Sequence, residues 1–338
     1  MDFLGLRTLS MLEDTLENIR LNGKEVPDIN ALPLEDSATF ALLQAGETLG
    51  VFQLESPGMR QLLKKILPDS FEDLVAILAL YRPGPLESGM VDQFINCKHG
   101  RSEVVYPHPL LEPVLKETYG VILYQEQVMQ IAQAVAGYTL GEADILRRAM
   151  GKKKEEEMDR QRARFLAGAR ERGIPERKAA ALFETLEPFA KYGFNKSHSA
   201  AYSYLAYITG YLKAHYSVEF MAALLTSETG NTDKVVKYIN ECRELGIEVL
   251  PPDVNQSDYH FTPVGREKMR FGLGAVRNVG QSAVEAIVAA RSEGGPFASL
   301  DDFCERVDLG AVNRRVIESL IRAGAMDSLP GTRAQLMA

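Results

Sequence analysis

A mainly α fold with small β elements (α+β) is predicted by three observations on the 338-residue sequence. Apolar residues recur at helical spacing through most segments between residues 36 and 243. The β-like stretches are few and short. The run Leu250-Pro251-Pro252-Asp253-Val254-Asn255 then has the composition of a boundary, and the sequence after it changes character. A chain of this length exceeds what one hydrophobic core usually organises, so two or three domains are expected.

Taken in order, Leu9, Leu12, Leu16 and Ile19 predict an opening helix. The first apolar stripe begins at residue 3 with no N-terminal cap, which predicts that sequence precedes Met1. Helices are then expected over 39–44, 58–66, 71–80, 125–136, 143–150, 155–172, 176–186, 199–215 and 233–245. Residues 50–54 and 120–123 read as short strands that pair locally. Pro83 and Pro85 end a helix sharply, because proline denies the preceding residue its α conformation, and leave a rigid loop. Beyond the boundary come a strand pair around residues 259–270, a glycine-rich turn Phe271-Gly272-Leu273-Gly274-Ala275-Val276-Arg277-Asn278-Val279-Gly280, and a helix over 282–291. The last eighty or so residues have room for two similar helical hairpins.

Composition excludes several functions. The longest apolar runs, such as Leu74-Val75-Ala76-Ile77-Leu78-Ala79-Leu80-Tyr81, fall far short of the roughly 20 residues that span a bilayer, and the first residues lack a signal peptide's basic and apolar regions. A cytoplasmic protein without a membrane partner is expected. Cys97, Cys242 and Cys304 form no CxxC pair, so neither a disulfide framework nor a thiolate zinc site is available. Phosphate loops of the GxxxxGK[ST] type, HExxH zinc helices and GxSxG elbows do not occur. Net charge is −8, yet residues 147–173 carry ten basic side chains against five acidic ones, a local +5. Whole-chain charge therefore decides nothing about phosphate binding.

Three constellations carry candidate chemistry. In Leu146-Arg147-Arg148-Ala149-Met150-Gly151-Lys152-Lys153-Lys154, Gly151 fits a helix C-cap and five cations crowd a helix end. A triphosphate suits that end; a solvated basic face pairing with the following glutamates at i, i+4 fits equally well. In Tyr192-Gly193-Phe194-Asn195-Lys196-Ser197-His198-Ser199, Ser197 or Ser199 can N-cap the helix that follows, and Lys196 with His198 sits at its anion-receptive end. Tyrosines interleaved with cations are what base stacking and phosphate neutralisation require, although Tyr204, Tyr207, Tyr211 and Leu212 at helical spacing also read as core. The turn from Gly272 to Gly280 before an amphipathic helix is similar to a helix-hairpin-helix element, whose backbone N–H groups hold a DNA phosphate without reading sequence; glycines there also make a plain tight turn.

Seven segments resemble, in order, motifs of the bacterial DNA polymerase III α subunit, a C-family replicase. They are Asp2-Phe3-Leu4-Gly5-Leu6-Arg7-Thr8-Leu9, Val51-Phe52-Gln53-Leu54-Glu55-Ser56, Arg82-Pro83-Gly84-Pro85-Leu86, Tyr124-Gln125-Glu126-Gln127-Val128-Met129, the basic run at 146–154, the turn at 192–202 and Phe271-Gly272-Leu273-Gly274. The resemblance implies a C-terminal edge of the palm at 1–30, a helical fingers domain at 31–249, and a small tandem helix-hairpin-helix DNA-binding region at 250–338. It implies that Asp2 is a catalytic palm carboxylate holding Mg²⁺ together with partners outside this chain. Arg147, Arg148 and Lys152 would neutralise an incoming dNTP. His198 would crowd the sugar 2′ position, and Tyr192, Lys196 and Ser197 would line the same pocket. Gly274, Arg277 and Gly280 would contact DNA phosphates. The implied function is template-directed DNA synthesis on primer-template DNA, with other replisome subunits engaged through regions outside this chain, and the isolated piece is expected to be inactive. Two other readings make different predictions. A non-enzymatic, sequence-independent DNA-binding module would show salt-sensitive DNA binding indifferent to nucleotide, and an all-helical scaffold would bind neither.

Overall fold

The computed structural model describes residues 5–152 and 155–338, without the side chains of 151, 152, 155 and 187–192. Asp2 lies outside the described residues, as do Lys153 and Lys154, and the side chains of Lys152 and Tyr192 are likewise not described. The backbone is predominantly helical with one small sheet, as the sequence predicts. Among the described residues no helix is long and apolar enough to cross a membrane.

The chain forms two compact units, one of residues 1–32, 49–52 and 208–338, the other of residues 33–48 and 53–207. The first opens with α1 (Arg7–Leu21). The second runs through α2 (Ser37–Ala45), α3 (Pro57–Ile66), α4 (Phe71–Leu80), α5 (Pro83–Glu87), α6 (Met90–Lys98), α7 (Glu112–Leu115), α8 (Gln125–Ala136), α9 (Leu140–Lys152), α10 (Glu155–Glu171) and α11 (Glu176–Tyr192). It ends in α12 (Lys196–His215), which the division cuts at residue 208. The first unit resumes with α13 (Ser217–Ser227), α14 (Thr232–Glu244), strands β1 (Glu248–Leu250), β2 (Thr262–Pro263) and β3 (Lys268–Arg270), then α15 (Gln281–Gly294), α16 (Leu300–Arg306), α17 (Arg314–Ala323) and α18 (Arg333–Leu336).

In the second unit α8, α9, α10 and α11 pack around one core. Val128, Ile131 and Val135 of α8 meet Ala143, Leu146 and Met150 of α9, with Phe165 and Phe183 closing the centre at 5.4 Å between ring centroids. Gly168 lets α10 approach α8 closely: a Cβ there would stand 2.0 Å from the Ala136 carbonyl oxygen. Because Ala143, Leu146 and Met150 recur at helical spacing and face inward, Arg147 and Arg148 are turned off the core onto adjoining faces.

In the first unit α1 lies along α13, and the wholly buried Glu219 of α13 is paired with Lys24 at 2.7 Å. Lys213 and Glu241, both buried, form a second ion pair, and the Lys213 ammonium also donates to the Leu49 carbonyl at 2.9 Å. The sheet order is β1-β3-β2, with β1 parallel and β2 antiparallel to β3. After the sheet, Leu273, Val279, Val284, Ile287, Phe303, Val312, Leu320 and Met326 form a separate core shared by the four C-terminal helices.

Several local expectations are corrected. Residues 50–54 are a tight turn, closed by positive φ at Gly50 and Gln53 and by Thr48 Oγ1 donating to the Leu54 carbonyl at 2.6 Å. Residues 120–123 are no strand either, because the Leu123 and Tyr124 N–H groups donate to the side chain of Gln127; the chain pairs instead at Tyr124, by a parallel bridge to Phe194. Pro83 begins the short helix α5 rather than a loop, suiting proline's preference for a first helical position. Gly151 lies inside α9 and does not cap it.

Candidate functional site

The first turn of α8 is the meeting place of the two basic segments. Tyr124 bridges Phe194, the Phe194 N–H donates to the Leu123 carbonyl at 3.1 Å, and the Gln125 N–H donates to the Phe194 carbonyl at 2.9 Å. The next carboxylate, Glu126, accepts the Lys196 backbone N–H at 2.9 Å. The turn from Gly193 to His198 is thereby fixed against α8 by backbone bonds from both sides.

Asn195 caps α12, in place of the serines expected. Its Oδ1 accepts the His198 N–H at 2.8 Å and the Ser197 hydroxyl at 2.7 Å. Ser199 is buried and donates to the Val75 carbonyl at 2.7 Å, so its hydroxyl fastens α12 to α4. His198 and Ser197 are exposed. The His198 ring lies between Phe194 and Tyr202, with centroids 5.7 and 4.3 Å away, and the Arg82 guanidinium covers the Phe194 ring at 4.3 Å. Of the tyrosine stripe, Tyr207 is core, hydrogen-bonded through its hydroxyl to the Pro33 carbonyl, while Tyr202 stays with the turn.

Arg147 reaches this junction. Its Nη1 donates to Gln125 Oε1 at 3.1 Å, and the Gln125 amide in turn donates to the Gly193 carbonyl at 3.0 Å. Asp144, one turn back on α9, accepts from Arg147 Nη2 and from Arg148 Nη2, each at 2.7 Å, on its two oxygens. The hydrogen bond from Arg147 is the largest influence holding the Asp144 carboxyl below its ordinary range. Arg147 is 28% exposed and Arg148 65%. The structure thus links Arg147 to the Gly193–His198 turn through Gln125, whereas Arg148 is paired with Asp144. Lys196 is also engaged, with its ammonium 2.7 Å from Glu117 and 5.6 Å from the centre of the Tyr124 ring. The cations at this junction therefore stand in a frame of carboxylates that screens their repulsion, with exchange for a stronger polyanion as the chemistry available to them.

A second candidate region lies in the C-terminal core. Arg277 and Gly280 are exposed, and Gly280 stands at the N-terminus of α15. The Gly274 N–H already donates to the Tyr259 carbonyl at 3.0 Å, and a Cβ at Gly274 would come within 2.7 Å of the Tyr259 ring, so close packing accounts for this glycine. Asn278, at φ +67°, directs its side-chain amide to Ser319 Oγ at 3.1 Å. Arg277, Arg315 and Arg322 line a groove of about 770 Å³ beside Ser319 and Glu318. Arg315 and Arg322 went unnoticed in the sequence, although their i, i+7 spacing on α17 is a signal for one face. Gln125 was missed for lack of any local signal, whereas Asp144 had one in its i, i+3 and i, i+4 spacing to Arg147 and Arg148.

Among the described residues no group of three or more His, Cys, Asp and Glu side chains is arranged to hold a metal ion.

Two stretches of the chain match known families. Residues 8–173 match the family described as the bacterial DNA polymerase III alpha subunit finger domain, and residues 246–336 match a helix-hairpin-helix motif. The DNA polymerase III subunit alpha of Pseudomonas aeruginosa is 56% identical over 337 residues, covering 97% of this chain and 29% of that protein. Those of Escherichia coli and Thermus aquaticus are each 54% identical, over 99% and 100% of this chain and 30% and 28% of theirs. The chain therefore spans less than a third of the length of the relatives it matches.

Proposed function

Because the chain belongs to the bacterial DNA polymerase III alpha subunit family, we propose that it is the piece of a replicative polymerase that grips the incoming deoxynucleoside triphosphate and the duplex. We assign residues 1–30 to the palm edge, 31–249 to the fingers and 250–338 to the tandem helix-hairpin-helix region. The finger match supports the second assignment, though it begins within the first, and the motif match supports the third.

One observation carries the nucleotide reading: Gln125 ties the Arg147 guanidinium to the Gly193 carbonyl, so a cation from α9 and the head of α12 border the same place. Arg147 neutralises the triphosphate first, with Arg148 and Lys152 adding charge along α9. Lys196, Ser197 and Tyr192 are assigned to the same pocket, and His198, whose ring packs between Phe194 and Tyr202, is assigned to crowd a sugar 2′ substituent. A phosphate oxygen held by an arginine in a dry site contributes a few kcal/mol, of order 2 to 4, to transition-state stabilisation. The reaction served is attack of a primer 3′-hydroxyl on the α-phosphorus with pyrophosphate leaving, in the cytoplasm, alongside replisome subunits bound elsewhere on the parent.

Asp2 is the one residue assigned to Mg²⁺. The described residues offer no metal cluster, so they do not fit such a centre by themselves. Because Asp2 would hold the ion only together with carboxylates outside this chain, the isolated chain is expected to lack polymerase activity; robust primer extension by it alone would refute this.

Protection of Arg147, Arg148 and His198 from chemical modification by added dNTP tests the nucleotide site. The groove lined by Arg277, Arg315 and Arg322 favours a second role beside it, binding of duplex backbone, with the exposed Gly280 nearby in sequence; the Gly274 N–H, already engaged by the Tyr259 carbonyl, is not assigned to phosphate. A sequence-independent DNA-binding module alone would show salt-sensitive DNA binding and no protection by nucleotide.

A further inference from the structure

We infer that Gln125 is a positioning residue for nucleotide binding: its carboxamide sets the Arg147 guanidinium in register with the turn that carries Lys196 and His198. The inference deepens the nucleotide reading proposed above and rests on it.

A glutamine amide has an accepting end and a donating end, and Gln125 spends them on different segments. Oε1 accepts from Arg147 Nη1 at 3.1 Å, and Nε2 donates to the Gly193 carbonyl at 3.0 Å. Its own N–H donates to the Phe194 carbonyl, so the side chain starts from a fixed backbone position. No other residue type makes this bridge unchanged. Glutamate keeps the partner for Arg147 but opposes a carboxylate to the Gly193 carbonyl, methionine fills the space with neither bond, and asparagine is one methylene short.

Two residues on, Gln127 shows what a purely structural glutamine looks like in the same helix turn. It is 1% exposed, and all of its bonds stay inside the fold: Oε1 accepts from the Leu123 and Tyr124 N–H groups, and Nε2 donates to Val114 and Thr118. Gln125 is half-buried, and it bonds instead to an arginine whose side chain is 28% exposed. Of the five guanidinium N–H groups, Arg147 commits three to Asp144 and Gln125. A guanidinium already fixed on two sides loses little freedom on binding, which is the advantage preorganisation confers.

The test is steady-state single-nucleotide incorporation by the full-length polymerase subunit carrying this segment, comparing the parent with Q125M, Q125E, R147A and the double variant Q125M/R147A. Thermal melting of each reports folding. Positioning predicts that Q125M and Q125E each raise KM for dNTP by about tenfold, that kcat changes less, and that Q125M adds nothing in the R147A background because its effect runs through Arg147. Normal KM in folded Q125M or Q125E, or additive effects in the double variant, overturns the inference while leaving the nucleotide site standing. An unchanged KM in R147A overturns the nucleotide reading itself, and this inference with it. Should Q125M melt early, Q125E decides the matter by the same readouts.

Discussion

Arg147 approaches Asp144 with two nitrogens, Nε at 3.1 Å and Nη2 at 2.7 Å from the same carboxylate oxygen. The other oxygen of Asp144 is taken by Arg148. One carboxylate thus pairs with both arginines assigned to the triphosphate, and any polyanion must compete with it.

Asp144→Asn removes that competitor while keeping an acceptor. Inorganic triphosphate binding to the chain at low ionic strength is expected to tighten, by up to about fivefold, as befits a surface ion pair, and the gain should vanish in high salt. Acid has little effect until far below neutrality. Asp144 is held below its ordinary 3.8, so the pairing is fully present above that value and is lost only as pH falls through the depressed one. Titration calorimetry at pH 7 and 5.5 checks both statements.

Gly168→Ala and Gly141→Ala separate packing from propensity. Alanine is ordinarily the better helix former by about 0.5–1 kcal/mol, and at Gly141, where a Cβ meets open space, the change should stabilise or leave the fold unaffected. At Gly168 the new Cβ would meet the Ala136 carbonyl oxygen at 2.0 Å, with contacts to the carbonyl carbon at 2.9 Å as well. Backbone cannot swing aside as a side chain can, so a loss of about 1–3 kcal/mol is expected in urea unfolding.

Lys213 and Glu241 are 0% and 4% exposed. Lys213→Met strands a buried carboxylate and should cost about 3–5 kcal/mol, whereas Lys213→Met with Glu241→Leu should recover most of it. Denaturant midpoints of the single and double variants supply the comparison.

Arg277→Ala should weaken duplex binding equally for unrelated sequences and lower the salt-dependence slope by about one counterion. Arg315→Ala and Arg322→Ala, from α17 in the same groove, should behave alike. Filter binding across a salt series is sufficient.

Much of the fold was legible because its signals are local. Helix α4 has Ser70 as its N-cap, accepting the Asp73 N–H, and its observed bounds equal the expected ones; so do those of α8. Helix α13 was missed because it is apolar nearly all round, from Val218 through Leu225, and so has no periodic face to read. Gly151 was misread since a glycine signals a cap only where helical contacts stop, and α9 continues through it. The basic clusters of the candidate site were visible as composition. What joins them was not, because the bonds from Gln125 to Arg147 and to Gly193 span 22 and 68 positions, distances at which no periodicity operates. The serines proposed as caps lost to Asn195, whose amide oxygen reaches the His198 N–H from the N-cap position.

The most direct test of the account is the equilibrium affinity of this chain for a deoxynucleoside triphosphate, compared with that of its Arg147→Ala variant. Loss of at least about tenfold in affinity is predicted for the variant, in keeping with a charge-assisted phosphate contact. Equal affinities, or no triphosphate binding by the unaltered chain, would contradict it.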